Sequence, residues 1–394
     1  MSSSQHSEAV IVDAIRTPVA RGKGGGSLSG LHPVDLLAQV LSALFARNDL
    51  DPAEVDDVLI GCVSQVAEQS ATPGRMAWLA AGLPEHVPAV TIDRKCGSSQ
   101  QAISFGAQAI VAGAADIIVA GGVESMSRVP MGSARAGADP YGERVRHRYP
   151  GGLTSQGVSA ELVATKWRIS RTEMDAFAAR SHALAAATDF RREIITVEAP
   201  DGPVSEDSTV RAGTTVEQLA ELPAVFRTDD LAERFPEIAW GVTAGNSSQL
   251  SDAASALLLT SLDTASRLGL PVRARVHAAT AVGDDPLLML AGPIPATRRI
   301  LARTGLSLSD ISHIEINEAF SSVPLAWMRE FDVDPSIINP RGGAIALGHA
   351  LGASGARLMT TMLHALEDSG GRYGLQLMCE AGGMANATII ERTS

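Results

Sequence analysis

Short apolar runs alternate with helix-length segments along the chain. Leu59-Ile60-Gly61, Ala89-Val90-Thr91-Ile92 and Ile117-Ile118-Val119-Ala120 read as strands, and Leu375-Gln376-Leu377-Met378 reads as another near the C-terminus. The longest apolar region, 102–122, holds Gln108, Asp116 and several glycines, so it divides into a helix, a turn and a buried strand rather than a membrane span. Over 172–182 the pattern predicts a helix, with Ser170 or Thr172 as N-cap before an acidic first turn. Helices alternating with short strands indicate an α/β architecture with mostly parallel pairing.

The pattern also repeats. Leu50-Asp51-Pro52-Ala53-Glu54-Val55, continuing to Ile60, is echoed 256 residues later by Leu306-Ser307-Leu308-Ser309-Asp310-Ile311, continuing to Ile316. At the same offset Cys96-Gly97-Ser98-Ser99 lies over Gly352-Ala353-Ser354-Gly355, and both open small-residue helices. Two related halves follow: 1–124, completed by about 240–271, and 272–394. Between them, 125–239 is richer in charge, Gly and Pro, and a long insertion in a regular fold is commonly functional. Small residues let the two helices approach closely, so their N-termini are expected to meet at one shared site.

Composition narrows the range of functions. The 394 residues are 45% hydrophobic but only 4% aromatic, with 37 glycines, which predicts a large core of aliphatic side chains and closely packed backbone. A net charge of −12 speaks against nucleic acid or an anionic membrane as partner, although a local basic patch still suits a small phosphorylated ligand. Cys62, Cys96 and Cys379 are odd in number and lack metal-site spacing, so neither a disulfide framework nor a zinc site is expected, and a reduced, cytoplasmic setting is. Cys62 follows a strand pattern and reads as core. Residues 1–8 are polar and do not read as a signal peptide. Gly22-Lys23-Gly24-Gly25-Gly26 lacks the strand-to-helix context of a phosphate loop.

The candidate chemistry starts at Cys96. In Asp93-Arg94-Lys95-Cys96-Gly97-Ser98-Ser99-Gln100 it lies between a strand-like run and a helix, where the helix N-terminus and two cations are expected to lower a thiol pKa. Taken alone, a small buried residue beside a turn is the plainer reading. Three more segments change that: Ile316-Asn317-Glu318-Ala319-Phe320, the glycine-rich Gly342-Gly343-Ala344-Ile345-Ala346-Leu347-Gly348-His349 continuing to Gly355, and Cys379-Glu380-Ala381-Gly382-Gly383-Met384. They add an amide, an imidazole and a second thiol. A free thiol is only a few per cent ionised near neutrality, so a nucleophilic Cys96 needs a base, for which His349 is the candidate. In this order, together with Val12-Asp13-Ala14-Ile15-Arg16-Thr17-Pro18 and Thr243-Ala244-Gly245-Asn246-Ser247-Ser248, these stretches resemble the thiolase family over nearly the whole chain.

The resemblance implies a thiolase fold: two related α/β halves forming a five-layered αβαβα sandwich, with 125–239 as a loop domain covering acyl-CoA. It implies that Cys96 carries the acyl group, His349 takes its proton, Cys379 serves the α-carbon, and Asn317 holds a water that, with His349, stabilises the enolate oxygen. The backbone N–H groups of Cys96 and Ala381 would form the other oxyanion site. Ser248, Asn246, Arg211, Met289, Ala319, Phe320 and Gln156 would meet the acyl and coenzyme A portions of the substrate. Glu318 reads equally well as an acid or as an anchor for nearby backbone. Coenzyme A enters as substrate, with no tightly bound cofactor and no metal, and a homodimer or homotetramer is implied, with any β-oxidation partner enzymes left open.

Three departures stand out. Ala381 replaces a glycine of the family motif, which preserves the N–H provided no positive φ is needed there. Ala350 replaces a proline after the histidine and is expected to loosen that turn. Arg341 replaces a small polar residue and would alter the channel mouth. Ser155-Gln156-Gly157 stands where short-chain biosynthetic members carry His-Met before Gly, so the chain looks closer to degradative actinobacterial-type thiolases that take longer or bulkier fatty-acyl or steroid groups. Cleavage of 3-oxoacyl-CoA by CoA, giving acetyl-CoA and a shortened acyl-CoA, is the expected reaction. Acetoacetyl-CoA synthesis, a decarboxylating synthase of related fold and a non-catalytic acyl-CoA-binding scaffold remain as alternatives; Cys379 argues against the synthase, and the intact polar quartet against the scaffold.

Overall fold

The computed structural model describes residues 8–393, so the polar N-terminal stretch lies almost entirely outside the described residues. The first half runs β1 (Ala9–Arg16), β2 (Ala20–Arg21), α1 (Pro33–Arg47), β3 (Asp57–Gly61), α2 (Pro73–Ala80), β4 (Ala89–Ile92), α3 (Ser98–Val111) and β5 (Ile117–Ser125). Next come α4 (Gly142–Arg148), α5 (Gln156–Lys166), α6 (Arg171–Ala186), the hairpin of β6 (Val197–Ala199) and β7 (Gly202–Val204), α7 (Val216–Ala220) and α8 (Asp229–Arg234). The chain then re-enters the first half through β8 (Ser251–Ser261) and α9 (Leu262–Leu268). The second half contains β9 (Ala274–Gly283), α10 (Pro293–Thr304), β10 (Ile311–Ile316), α11 (Ser322–Glu330), α12 (Ala344–Leu347), α13 (Ser354–Ser369), β11 (Tyr373–Glu380) and β12 (Met384–Arg392). The 102–122 region divides as expected into α3, a turn and β5. Ser170 caps α6 reciprocally with Glu173.

The large sheet has the order β10-β11-β12-β9-β1-β8-β5-β3-β4, with β2 added on β8. Outward from the centre, β1-β8-β5-β3-β4 mirrors β9-β12-β11-β10, and the repeat seen in sequence maps β3 onto β10, α3 onto α13 and β5 onto β11. The counterpart of β4 shrinks to a single bridge between Ile314 and Ile338. Parallel pairing was expected to dominate, but among the strands of the described residues only β3–β4, β3–β5 and β10–β11 pair in parallel. β12 follows β11 through a three-residue turn, which forces an antiparallel return. β8 comes back from the insertion antiparallel to both β1 and β5.

Two residue pairs, Val10–Arg275 and Ile11–Ala274, join the halves. Helices α3 and α13 pack against each other between them, burying Ile103, Ala107, Met359 and Leu363. Helices α1 and α2 cover the outer face of the first half, and α10 and α11 that of the second, which completes five layers. Glycine makes the middle layer fit. A Cβ on Gly122 would lie 2.1 Å from Gly352 O, and one on Gly355 would lie 2.3 Å from Gln100 N. The start of α13 is therefore pressed against β5 and α3, and both helix N-termini reach the same region.

The two ends of the sheet differ. Among the described residues β4 has no strand on its outer side, and Val90 on it is exposed, as are Met76 and Leu79 of α2 and Phe105 of α3, the helices that flank it. At the other end Asn339 closes the edge of β10: its side chain accepts from Ile316 N–H and donates to Ile316 O, both at 2.8 Å.

Candidate active site

The chain passes from β4 to α3 in five residues. Lys95 takes a φ of 50°, a left-handed conformation that side chains disfavour, and the Gly97 and Ser98 N–H groups bond Arg94 O and Lys95 O, each at 3.0 Å. This elbow sets Cys96 just before α3, buried against Met126, Leu351, Leu358 and Met378.

The expected lowering of the Cys96 pKa is corrected by its surroundings. Burial pushes this thiol well up, and Cys379 and Glu380 push it the same way. Lys95 pairs with Asp93 at 2.6 Å. Removing a full negative charge from water outweighs the partial positive charge of a helix N-terminus. Cys96 therefore rests as a thiol, and could act as a nucleophile only with a base to take its proton.

His349 is held by several hydrogen bonds. Its N–H bonds Gln249 O at 2.9 Å, and its Nδ1 lies 2.7 Å from Ser354 Oγ. The Ser354 hydroxyl donates its only hydrogen to Ala350 O at 2.8 Å, so Nδ1 carries a hydrogen and donates to Ser354. Nε2 is left as an acceptor, and Asn317 Nδ2 donates to it at 3.5 Å. Burial, followed by the Arg357 charge, lowers the imidazole pKa to about 3, which keeps it a neutral base.

Asn317 follows β10 and fixes itself through its N–H to Leu377 O at 3.0 Å. It bears on the Cys379 thiol, which is pushed up to about 12, first by burial and then by Glu380, with Asn317 pulling the other way. Its Oδ1 is buried without a protein partner. Cys96, Cys379, Asn317 and His349 thus form one continuous cluster, assembled from the ends of β4, β10, β11 and α12.

Two buried carboxyls support this cluster. Glu124 accepts from the N–H groups of Val63 (2.9 Å), Ser64 (3.0 Å) and Gly352 (2.8 Å), tying the loop after β3 to the start of α13. Glu318 accepts from Ser181 Oγ (2.6 Å), Asn339 Nδ2 (2.8 Å) and Ile345 N–H (3.2 Å). Glu318 is thus tied to two side chains and to one backbone N–H well along the chain, rather than to the backbone beside it.

The three sequence departures resolve separately. Ala381 has no positive φ; the left-handed positions of its turn are Gly382 (95°) and Gly383 (76°), so alanine fits without strain. In the turn after His349, Ala350 O accepts Ala353 N–H, Ser354 N–H and Ser354 Oγ together, bonds that a proline carbonyl would make equally. Arg341 pairs with Asp368 near the far end of α13, about 20 Å along that helix from its start, rather than opening toward the cluster.

Residues expected to meet substrate divide into two groups. Met289, Ala319 and Phe320 are buried in the apolar cluster that also contains Cys379, with Ala381 at its margin. Phe226 meets Phe320 edge-on at 5.9 Å and packs over Gly157, next to Gln156 at the start of α5. Ser248 is half-buried, its N–H on Ala319 O at 2.9 Å. Arg211 is exposed, with its guanidinium 3.4 Å from Gln249. Asn246, in contrast, spends its side chain on Thr243 N–H, Asp175 and Gly241 O, and so shapes this turn.

Sequence reasoning passed over Ser354, Glu124 and Glu380. For Ser354 the signal was its place five residues after His349 in a tight glycine-rich turn. For Glu380 it was a charged residue inside an otherwise apolar strand end, next to a candidate thiol.

The family model described as "Thiolase, N-terminal domain" matches residues 9–263, and that described as "Thiolase, C-terminal domain" matches 270–392. A steroid 3-ketoacyl-CoA thiolase of Mycobacterium tuberculosis is 50% identical, over 98% of this chain and 94% of its own length. A 3-ketoacyl-CoA thiolase of Pseudoalteromonas translucida is 43% identical over 97% of this chain and 98% of its own. Among solved structures, an acetyl-CoA acetyltransferase of Bacillus anthracis superposes with a TM-score of 0.87 at 35% identity, covering 99% of this chain and 100% of that one.

Proposed function

Because the chain belongs to the thiolase family, we propose that it cleaves 3-oxoacyl-CoA with coenzyme A and that the Cys96 cluster performs the chemistry. The observation that carries this reading is the neutral His349 with its Nε2 lone pair turned toward Asn317, in a cluster with two protonated thiols. Nε2 takes the Cys96 proton as the sulfur attacks the 3-oxo carbon. The carbon–carbon bond then breaks, and Cys379 protonates the acetyl-CoA enolate, leaving the acyl group on Cys96. Incoming coenzyme A gives its thiol proton to the Cys379 thiolate and attacks the acyl group, and His349 returns its proton to Cys96. The N–H groups of Cys96 and Ala381 hold one developing oxyanion, and a water on the free Asn317 Oδ1, with His349, holds the other.

Residues 125–239 cover the acyl-CoA in this reading, with Ser248 at the pantetheine arm, Arg211 toward the adenosine end, and Met289, Ala319, Phe320 and Gln156 around the acyl chain. Coenzyme A is a substrate, and no tightly bound cofactor takes part. Likeness to the steroid thiolase, together with the apolar cluster beside Cys379, favours a bulky acyl group. The exposed apolar residues around the open edge of β4 suit self-association into a homodimer or homotetramer. Three buried free cysteines accord with the reducing cytoplasm.

The test is thiolysis of acetoacetyl-CoA, a long-chain 3-oxoacyl-CoA and a steroid-side-chain 3-oxoacyl-CoA. A larger substrate is expected to exceed acetoacetyl-CoA in kcat/KM by at least about tenfold, the order of discrimination an apolar pocket supplies. Preference for acetoacetyl-CoA would overturn the acyl reading, and binding without turnover on all three would overturn the function. Ala381→Gly is expected to change the rate by less than about tenfold, since the backbone there is unstrained. A gain of about a hundredfold, the order of effect of one oxyanion donor, would show that site to be impaired.

A further inference from the structure

Glu380 ends β11 directly after Cys379 and is fully buried. Its carboxyl lies against the Cα of Gly97, the residue after Cys96: a Cβ on Gly97 would fall 1.9 Å from Glu380 Oε1 and 3.3 Å from Asn386 Nδ2. Neither Glu380 oxygen has a hydrogen-bond partner, and Asn386 Oδ1 beside them has none either. A carboxylate fixed there would lose its hydration and gain no donor in return, whereas a neutral acid needs far less.

The charged and titratable groups that bear on this place are few. Arg94 approaches from the turn after β4, Cys96 lies on the same turn, and Cys379 is the preceding residue on β11. From β12 and α3 come only the amides Asn386 and Gln101. Lys95 is committed to Asp93, and Glu124 acts on Cys96 more weakly than Glu380 does. Burial raises the Glu380 carboxyl to about 8, with Arg94 pulling the other way. As pH rises, Glu380 therefore charges before either thiol.

We propose that Glu380 is a positioning residue of the site, a neutral acid filling the space between the Cys96 turn and Cys379, whose loss of a proton places a negative charge beside both thiols and suppresses their ionisation. The proposal rests on the roles given above to Cys96 and Cys379. It makes the enzyme's upper pH limit a property of a carboxyl group rather than of a thiol or of His349.

The test is the rate of iodoacetamide alkylation at Cys96, resolved by peptide mass spectrometry from about pH 6 to about pH 10, in wild type and Glu380→Gln. The two rates are expected to agree within about twofold below pH 7, with the variant at least about tenfold faster near pH 9.5, because a nearby like charge shifts a buried pKa by a unit or more. Glu380→Met, which keeps length but neither ionises nor hydrogen-bonds, is expected to follow Glu380→Gln and serves if that variant does not fold. Profiles that coincide, or differ by a constant factor at every pH, would overturn the proposal in favour of packing alone. Cys96→Ala assayed for thiolysis separates the two readings: full turnover in that variant would overturn the function assigned to Cys96, whereas parallel alkylation profiles overturn only the role of Glu380.

Discussion

Cys96→Ala is expected to form no acyl-enzyme and to lose at least about 10⁴-fold in thiolytic turnover, as removal of a catalytic nucleophile does elsewhere. No other sulfur can take its place. Cys62 is buried, and its thiol is pushed far up by burial and by Glu124. The Cys379 thiol is pushed up to about 12 by burial and by Glu380, and in the proposed cycle it is occupied with the α-carbon proton. Cys96→Ser is expected to recover little of the loss, because a hydroxyl is far less acidic than a thiol and the His349 pKa of about 3 makes that imidazole a weak base. Intact-protein mass spectrometry after mixing with 3-oxoacyl-CoA checks this directly. Wild type should gain the shortened acyl mass and Cys96→Ala none; an adduct of that mass on the variant would move the nucleophile elsewhere.

Cys379→Ala is expected to separate the two half-reactions. A saturated acyl-CoA lacks the 3-oxo group, so it offers no cleavable carbon–carbon bond and can only exchange its thioester; its acyl group should still pass slowly to Cys96. Cleavage of 3-oxoacyl-CoA should fall by roughly 10²–10⁴-fold, the usual contribution of a positioned general acid, because no proton reaches the departing enolate. A thiol pushed up to about 12 is fully protonated near neutrality and so is ready to donate. The comparison is acyl-enzyme formation from saturated acyl-CoA against steady-state thiolysis in the same variant. Equal thiolysis in variant and wild type would remove the second thiol from the mechanism.

Much of this site was legible because its residues fall at strand ends and helix starts, where glycine and small residues mark the turns. Cys96, Asn317, His349 and Cys379 could be named before their contacts were known, and the repeat disclosed the paired halves. The direction of the Cys96 pKa shift could not be read, since a sequence shows the helix start and the cations but not the depth of burial opposing them. Asn246 and Arg341 illustrate the same limit: residue type was clear, yet the side chains turned to Asp175 and Asp368. Strand direction was misjudged because β8 arrives from the insertion and β12 turns straight back, neither of which a local alternation of helix and strand records.

The unequal ends of the sheet have a further consequence. Asn339 occupies the backbone of Ile316 with its side chain, so the β10 end offers little to an incoming strand, while the β4 end stays available. A molecule with two sticky ends can add copies head to tail without limit and grow into a fibre. With one end blocked, pairing through the sheet edge would join two copies only like to like, and growth along that edge would stop there.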